Sequence, residues 1–238
     1  MIDQTTARAL VARSGGVSIV LARVSAVEPG TDHLDADELA RLGRLRRPDD
    51  RRRWAVAHAL LRSVAGAATG QPPGRVRWVT RCAVCGGPHG RPTMAPARAA
   101  APVPALSLSY AGDLAAVALS WAGRPGVDVE SVAAAGAHDL SGVLAGADPA
   151  LAWVRAEAVL KATGDGLAVD PRDLQIRDGS GGPRLVGWRG RALPDVHVVD
   201  LELDPELDGE HVGALAVLVD PGAPAPRVVL HRVGDRQV

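Results

Sequence analysis

Gly126-Val127-Asp128-Val129-Glu130 and, after a short interval, Trp153-Val-Arg155-Ala156-Glu157-Ala-Val-Leu-Lys161 decide how this chain is read. The first segment alternates β-branched valines with acids, the pattern of a short strand. Asp128 and Glu130 then share one strand face, and Val127 and Val129 the other. The second segment reads as a helix. Asp148 is placed to cap it, Pro149 takes the first helical position, and Gly164 supplies the stop. Positions 153, 157 and 161 recur every four residues, so Trp153, Glu157 and Lys161 lie near one helix face.

Lys161 is the only lysine among 27 Lys and Arg residues. Arginine carries the same charge on a wide planar fork, whereas lysine is a compact charge on a flexible stem. A lysine kept where every other basic position is arginine points to a site that only the compact charge fits, such as a phosphate oxygen beside a cation. An exposed Glu–Lys pair four residues apart is also a common surface feature, worth about 0.3 kcal/mol. The neighbouring strand favours the first reading. Two carboxylates on one strand face repel unless solvent, a shared proton or a cation compensates. Packed under the helix, they gain Glu157 as a third acid and Lys161 one turn further on. Oxygen-only ligation of that kind suits Mg²⁺ beside substrate phosphates.

These residues resemble the 4'-phosphopantetheinyl transferases of the surfactin-synthetase-activating type. That family carries a Gly-hydrophobic-Asp-hydrophobic-Glu strand followed by a Trp-x-x-Lys-Glu-Ala-x-x-Lys helix. Further stretches are similar in the same order. Arg51-Arg-Arg53-Trp-Ala-Val-Ala-His58-Ala-Leu-Leu-Arg62 looks like the family's basic N-terminal helix. Gly90-Arg91-Pro92 stands for its Gly-Lys-Pro, and Ser107-Leu-Ser109-Tyr110-Ala-Gly112-Asp113 for its Ser-His-Ser-Gly turn. Three departures stand out. The helix motif's first lysine is Ala156, beside Arg155, which offers a charge from another angle. The turn's histidine is Tyr110, which hydrogen-bonds but does not become cationic. The Ala/Gly-rich segment 131–152 is short, which bears on the docking of a partner.

The resemblance implies an α+β fold of two similar halves related by a pseudo-twofold, 1–104 and 105–238, with coenzyme A in the cleft between them. It implies Mg²⁺-dependent transfer of 4'-phosphopantetheine from coenzyme A to a serine of an apo acyl- or peptidyl-carrier protein. Asp128, Glu130 and Glu157 are then the expected Mg²⁺ ligands, with Glu157 taking the serine proton and Lys161 neutralising the phosphates. Arg41, Arg53, Arg91, Ser109 and Tyr110 are expected around the 3'-phosphate of coenzyme A, with Arg62 a further basic residue of that region. Two other functions keep the same residues in use. One is a relative that binds coenzyme A or a carrier without turnover. The other is a Mg²⁺-dependent hydrolase of some other diphosphate.

Composition sets the background. A chain of 238 residues buries a substantial core as one large or two small domains. A formal net charge of zero argues against a general nucleic-acid or membrane-surface role. No apolar run has the length of a bilayer span and the N-terminus lacks the order of a signal peptide, so a soluble, cytoplasmic protein is expected. Two halves fused in one chain make a monomer the expected state. Phenylalanine is absent, leaving Ala, Val and Leu to build the core. Cys82-Ala-Val-Cys85 lacks the second ligand pair of a structural zinc site and reads as a reduced turn shaping the approach to Arg91. His58, His89, His138, His197 and His211 show no pairing of a catalytic base and are expected at the surface or in packing.

Periodicity predicts strands over 17–24, 75–81, 105–109, 114–121, 173–177, 196–203 and 212–219, with helices over 35–45 and 49–68. The strands at 196–203 and 212–219 are expected to pair antiparallel and close the fold. The Ala/Pro-rich stretch 94–104 reads as the connector between halves.

Overall fold

The protein is described from a computed structural model covering residues 6–7, 10, 16–80, 87, 92–99, 101–135, 148–203 and 210–234. Helix and sheet are mixed, as expected of an α+β chain. The chain forms two compact units, Met1–Ala122 with Arg227–Val238, and Gly123–Pro226.

The first unit is built on a sheet in the order β11-β1-β5-β4, comprising β1 (Val17–Arg23), β4 (Ala105–Ala111), β5 (Leu114–Ser120) and β11 (Val228–Val233). β1 and β4 both pair antiparallel with β5, while β11 joins β1 in parallel. The hairpin 105–120, assigned to the second half by sequence, is thus sheeted along its length with β1. The boundary consequently falls after Ala122 rather than at 104, and the stretch 94–104 runs within the first unit. The strand at 75–81 is shorter than expected: a 3₁₀ turn (Pro73–Arg75) leads into β2 (Trp78–Thr80), which pairs with β3 (Pro92–Met94).

One long helix covers this sheet, and a shorter one packs on that helix. α1 (Ala36–Arg44) begins with a capping box in which Asp35 accepts from the Glu38 N–H and the Glu38 carboxylate accepts from the Asp35 N–H. α2 (Pro48–Thr69) has proline in its first turn and ends at Gly70 in the left-handed region. Val56, Leu60, Leu61 and Val64 of α2 pack with Val20, Val117 and Leu119 of the sheet. This core is made of Val, Leu and Ala, as a chain without phenylalanine requires.

The second unit is an antiparallel sheet in the order β6-β10-β9, of β6 (Arg124–Ser131), β10 (His211–Leu218) and β9 (Val196–Asp200). The expected pairing of β9 with β10 is present. Beside the sheet lies a hairpin of β7 (Leu174–Gly179) and β8 (Gly182–Trp188). A four-residue turn of helix, α3 (Val132–Ala135), follows β6. The principal helix is α4 (Pro149–Thr163), with the Asp148 side chain accepting from the Ala150 N–H and Gly164 in the left-handed region, as the sequence predicts. Val154, Ala158 and Leu160 of α4 pack with Ala214 and Ala216 of β10 and with Leu174 and Trp188 of the hairpin.

β3, β8 and β11 had no counterpart in the sequence reading. No helix among the described residues is long and apolar enough to cross a membrane. Cys82, Cys85, His89, Arg91, His138 and most of the 131–152 segment lie outside the described residues.

Candidate functional site

α4 crosses β6 closely enough to bring its backbone onto the strand. A Cβ placed on Gly126 would lie 2.0 Å from the Ala158 carbonyl oxygen and 2.4 Å from the Ala162 nitrogen. Glycine is therefore required at that crossing, and Ala158, Ala162, Ala214 and Ala216 around it are small and fully buried. Asp128 stands opposite Ala214 and Gly126 opposite Ala216 in the β6/β10 register, so the face of β6 under the helix is Gly126, Asp128 and Glu130. Val127 and Val129 occupy the other face and are buried. The alternation read from the sequence thus directs both acids to the helix side.

Lys161 reaches that face from α4 and the Glu157 charge acts on Glu130; both are half-buried as Trp153 is, while their helical neighbours are buried. The Lys161 ammonium donates to Asp128 Oδ1 at 2.6 Å and to the Val127 carbonyl at 3.1 Å. Asp128 is almost fully buried, so this is a sheltered ion pair, stronger than an exposed one. Glu130, two residues on, is held above the usual carboxylate range, up to about 7. Burial is the main cause; the negative charges of Asp128 and Glu157 add to it, and Lys161 opposes them. Three carboxylates and one ammonium therefore share a small region with an excess of negative charge.

That excess tests whether Mg²⁺ suits these residues. The donors are all carboxylate oxygens, and an added cation would relieve the repulsion that raises Glu130, so the donor chemistry fits. Among the described residues, though, no three His, Cys, Asp or Glu side chains are already gathered into a metal-binding group. At Asp128 the counter-charge is the Lys161 ammonium.

The charge beside Ala156 goes elsewhere. Arg155 is buried and donates to both Asp200 oxygens, at 2.7 and 2.6 Å, and reaches Asp178 Oδ1 at 2.8 Å. The Asp200 hydrogen bonds, against the cost of burial and with help from Asp178, hold its pKa above the usual arginine value. Arg155 thus ties α4 to β9 and β7, and its charge is committed to Asp200 and Asp178 rather than offered beside Ala156.

In the first unit, Tyr110 is a half-buried residue of β4 that packs beside Leu34, Leu42 and Trp54. Burial pushes its phenol pKa up, while the charges of Arg41 and Arg53 pull it down and Asp50 raises it. Arg53 donates to the Gly112 carbonyl at 2.9 Å and approaches Asp50 at 3.3 Å. Arg41, Arg53 and Tyr110 are therefore brought into one neighbourhood. Ser109, buried in the same strand, is the adjacent residue and so projects to the opposite face from Tyr110. The turn itself falls at Gly112-Asp113, where Asp113 binds the Ser25 N–H and hydroxyl, each at 2.6 Å.

Arg62 leaves the set of surface arginines. It is fully buried, paired with Asp35 and with Glu38 Oε2 at 2.5 Å, and donates to the Pro73 and Val76 carbonyls. His58 stacks on Trp54 with ring centres 3.7 Å apart and meets Glu38 at 3.4 Å, a packing role. The Val127 carbonyl as a lysine acceptor was missed by the sequence reading; its one signal was the glycine at 126, which lets α4 come so near. No family model matches this chain, and no curated protein matches it.

Proposed function

We propose that this protein is a Mg²⁺-dependent transferase that moves 4'-phosphopantetheine from coenzyme A to a serine of an apo acyl- or peptidyl-carrier protein. The observation that carries the reading is the convergence of Asp128, Glu130, Glu157 and the lone Lys161 where α4 crosses β6 at Gly126. Asp128, Glu130 and Glu157 would hold Mg²⁺. The cation supplies charge neutralisation of the diphosphate.

The serine oxygen attacks the phosphorus bearing the pantetheine arm. A new P–O bond forms, and the bond from that phosphorus to the bridging oxygen breaks. Adenosine 3',5'-bisphosphate leaves. Glu157 accepts the serine proton, and the Lys161 ammonium offsets negative charge on the phosphate oxygens. Transfers of this kind depend mainly on alignment and electrostatic stabilisation. Arg41, Arg53, Arg91, Ser109 and Tyr110 are the groups proposed for the 3'-phosphate, where a guanidinium fork pairs two oxygens at once.

The test is intact-mass measurement of a panel of apo carrier proteins incubated with the protein, coenzyme A and Mg²⁺. A phosphopantetheine adduct that requires all three components is the expected result. The engagement of Arg155 with Asp200 and Asp178 favours one rival, because it leaves Ala156 without a substitute cation. That rival binds coenzyme A without turnover and predicts saturable binding with no adduct. A diphosphate hydrolase would instead release adenosine bisphosphate with no carrier present.

A further inference from the structure

From the Lys161–Asp128 pair we propose that Lys161 is a built-in placeholder cation, neutralising Asp128 until a divalent metal displaces it and frees the ammonium for a phosphate. The inference rests on the functional reading above and concerns how the site passes from its resting to its loaded arrangement. Lys161 Nζ lies 2.6 Å from Asp128 Oδ1. A hard divalent ion bonds carboxylate oxygen at about 2.1 Å, so ammonium and metal compete for that oxygen and repel at such range.

Three features suit Lys161 to this exchange. Its backbone lies close against the strand, the Lys161 carbonyl carbon being only 3.0 Å from where a Cβ on Gly126 would stand. Its side chain is 29% exposed while that of Asp128 is 5% exposed, so the lysine has an open direction in which to swing and the aspartate has little. Its second acceptor, the Val127 carbonyl at 3.1 Å, belongs to the strand and remains beside it when Asp128 is lost. A guanidinium is larger and donates through a rigid fork, so it fills the same charge role with poorer freedom to leave. This accounts for a lone lysine in a chain that otherwise uses arginine.

Because Lys161 is the only lysine, ¹³C-lysine labelling of the wild-type chain marks this side chain without mutation. Mg²⁺ added across the millimolar range, with no coenzyme A, is expected to shift the lysine Cε resonance saturably, and Asp128→Asn is expected to abolish the shift. Separately, Mn²⁺ binding measured by electron paramagnetic resonance is expected to tighten about tenfold in Lys161→Met, as removal of one adjacent charge implies. Lys161→Arg, which keeps the charge and the fold, should leave Mn²⁺ binding as weak as in the wild type. An unmoved lysine signal, a Lys161→Met variant that binds Mn²⁺ no tighter, or a gain that survives Asp128→Asn each overturns the proposal. A lysine signal that moves while no carrier is ever modified leaves the exchange standing and removes the transferase reading.

Discussion

Gly126 and Ala158 are in backbone contact: the space a Cβ on Gly126 would need is taken by the Ala158 carbonyl oxygen, 2.0 Å away. Every other feature of the site depends on this crossing, since it sets the height of Glu157 and Lys161 above Asp128 and Glu130. Gly126→Ala is therefore expected to lower stability by about 3 kcal/mol or more, because the obstruction is backbone and cannot turn aside. Chemical denaturation would measure it. A loss under about 1 kcal/mol would mean that the helix can lift off the strand at little cost.

Glu157→Gln and Lys161→Arg separate chemistry from fold. Both residues are half-buried, and neither substitution changes side-chain volume much or opens a core cavity, so melting temperatures should stay close to wild type. Phosphopantetheine transfer should fall at least about tenfold in each, the lower end of what a positioned proton acceptor contributes. Undiminished transfer by Glu157→Gln with normal metal dependence would remove Glu157 as the proton acceptor. Normal transfer by Lys161→Arg would remove the argument from the lone lysine.

Arg155 is expected to matter for stability and not for ligand binding. Its removal leaves Asp200 and Asp178 without their shared guanidinium, yet those acids are 38% and 67% exposed and water can reach them. The cost of Arg155→Met should accordingly be about 2 kcal/mol, below that of breaking a fully buried pair. Affinity for coenzyme A, measured by calorimetry, should change less than twofold. A large loss of affinity with stability intact would return Arg155 to the phosphate site.

Local rules made much of this legible. Asp148, Pro149 and Gly164 bound α4 by capping chemistry alone, and the Asp35–Glu38 capping box bounds α1 in the same way. The alternation over 126–130 put the two acids on one face, and that face proved to be the one beneath the helix. The unit boundary was not legible, because the pairing of β5 with β1 joins residues about 100 apart and leaves no trace in local composition. β11 was missed for the same reason: it becomes a strand only by adding to β1, behind a proline-rich stretch. Arg62 and Arg155 look like surface arginines in a chain full of them. Only the fold, by bringing Asp35 and Glu38 or Asp178 and Asp200 to them, shows that they are buried.

Glu38 gives the expected response to acid. Burial raises its pKa, but hydrogen bonds from His58, the Asp35 N–H and Arg62, together with the charge of Arg62, outweigh burial and hold it below the ordinary 4.5. A carboxyl lowered in the folded state stabilises the fold above its unfolded pKa and loses that contribution as pH falls through the folded value. The difference in unfolding free energy between wild type and Glu38→Gln should therefore be about 2 kcal/mol at neutral pH, typical of hydrogen bonds to a charged group. It should shrink steadily as pH falls below 4.5, where the unfolded carboxyl begins to hold its proton. Urea titrations of both proteins at several pH values measure it, and a difference that stays constant would deny Glu38 its lowered pKa.

The basic neighbourhood of the first unit has the most selective test, because its proposed target is one phosphate. Arg41 and Arg53 both act on Tyr110, and Arg53 is anchored by the Gly112 carbonyl at the hairpin turn, so its guanidinium is held rather than free to wander. If this group receives the 3'-phosphate of coenzyme A, wild-type protein should bind 3'-dephospho-coenzyme A at least about tenfold more weakly, the loss of one or more charge-assisted hydrogen bonds. Arg53→Ala should weaken coenzyme A itself by a similar factor while leaving the dephospho compound nearly unchanged. The two effects should not add, since each removes one side of the same contact. Tyr110→Phe should reproduce a smaller version of this pattern, because a phenol supplies one neutral hydrogen bond where a guanidinium supplies charge as well. Equal weakening of both ligands by Arg53→Ala would place the phosphate elsewhere and leave Arg53 the task of fastening α2 to the β4–β5 turn.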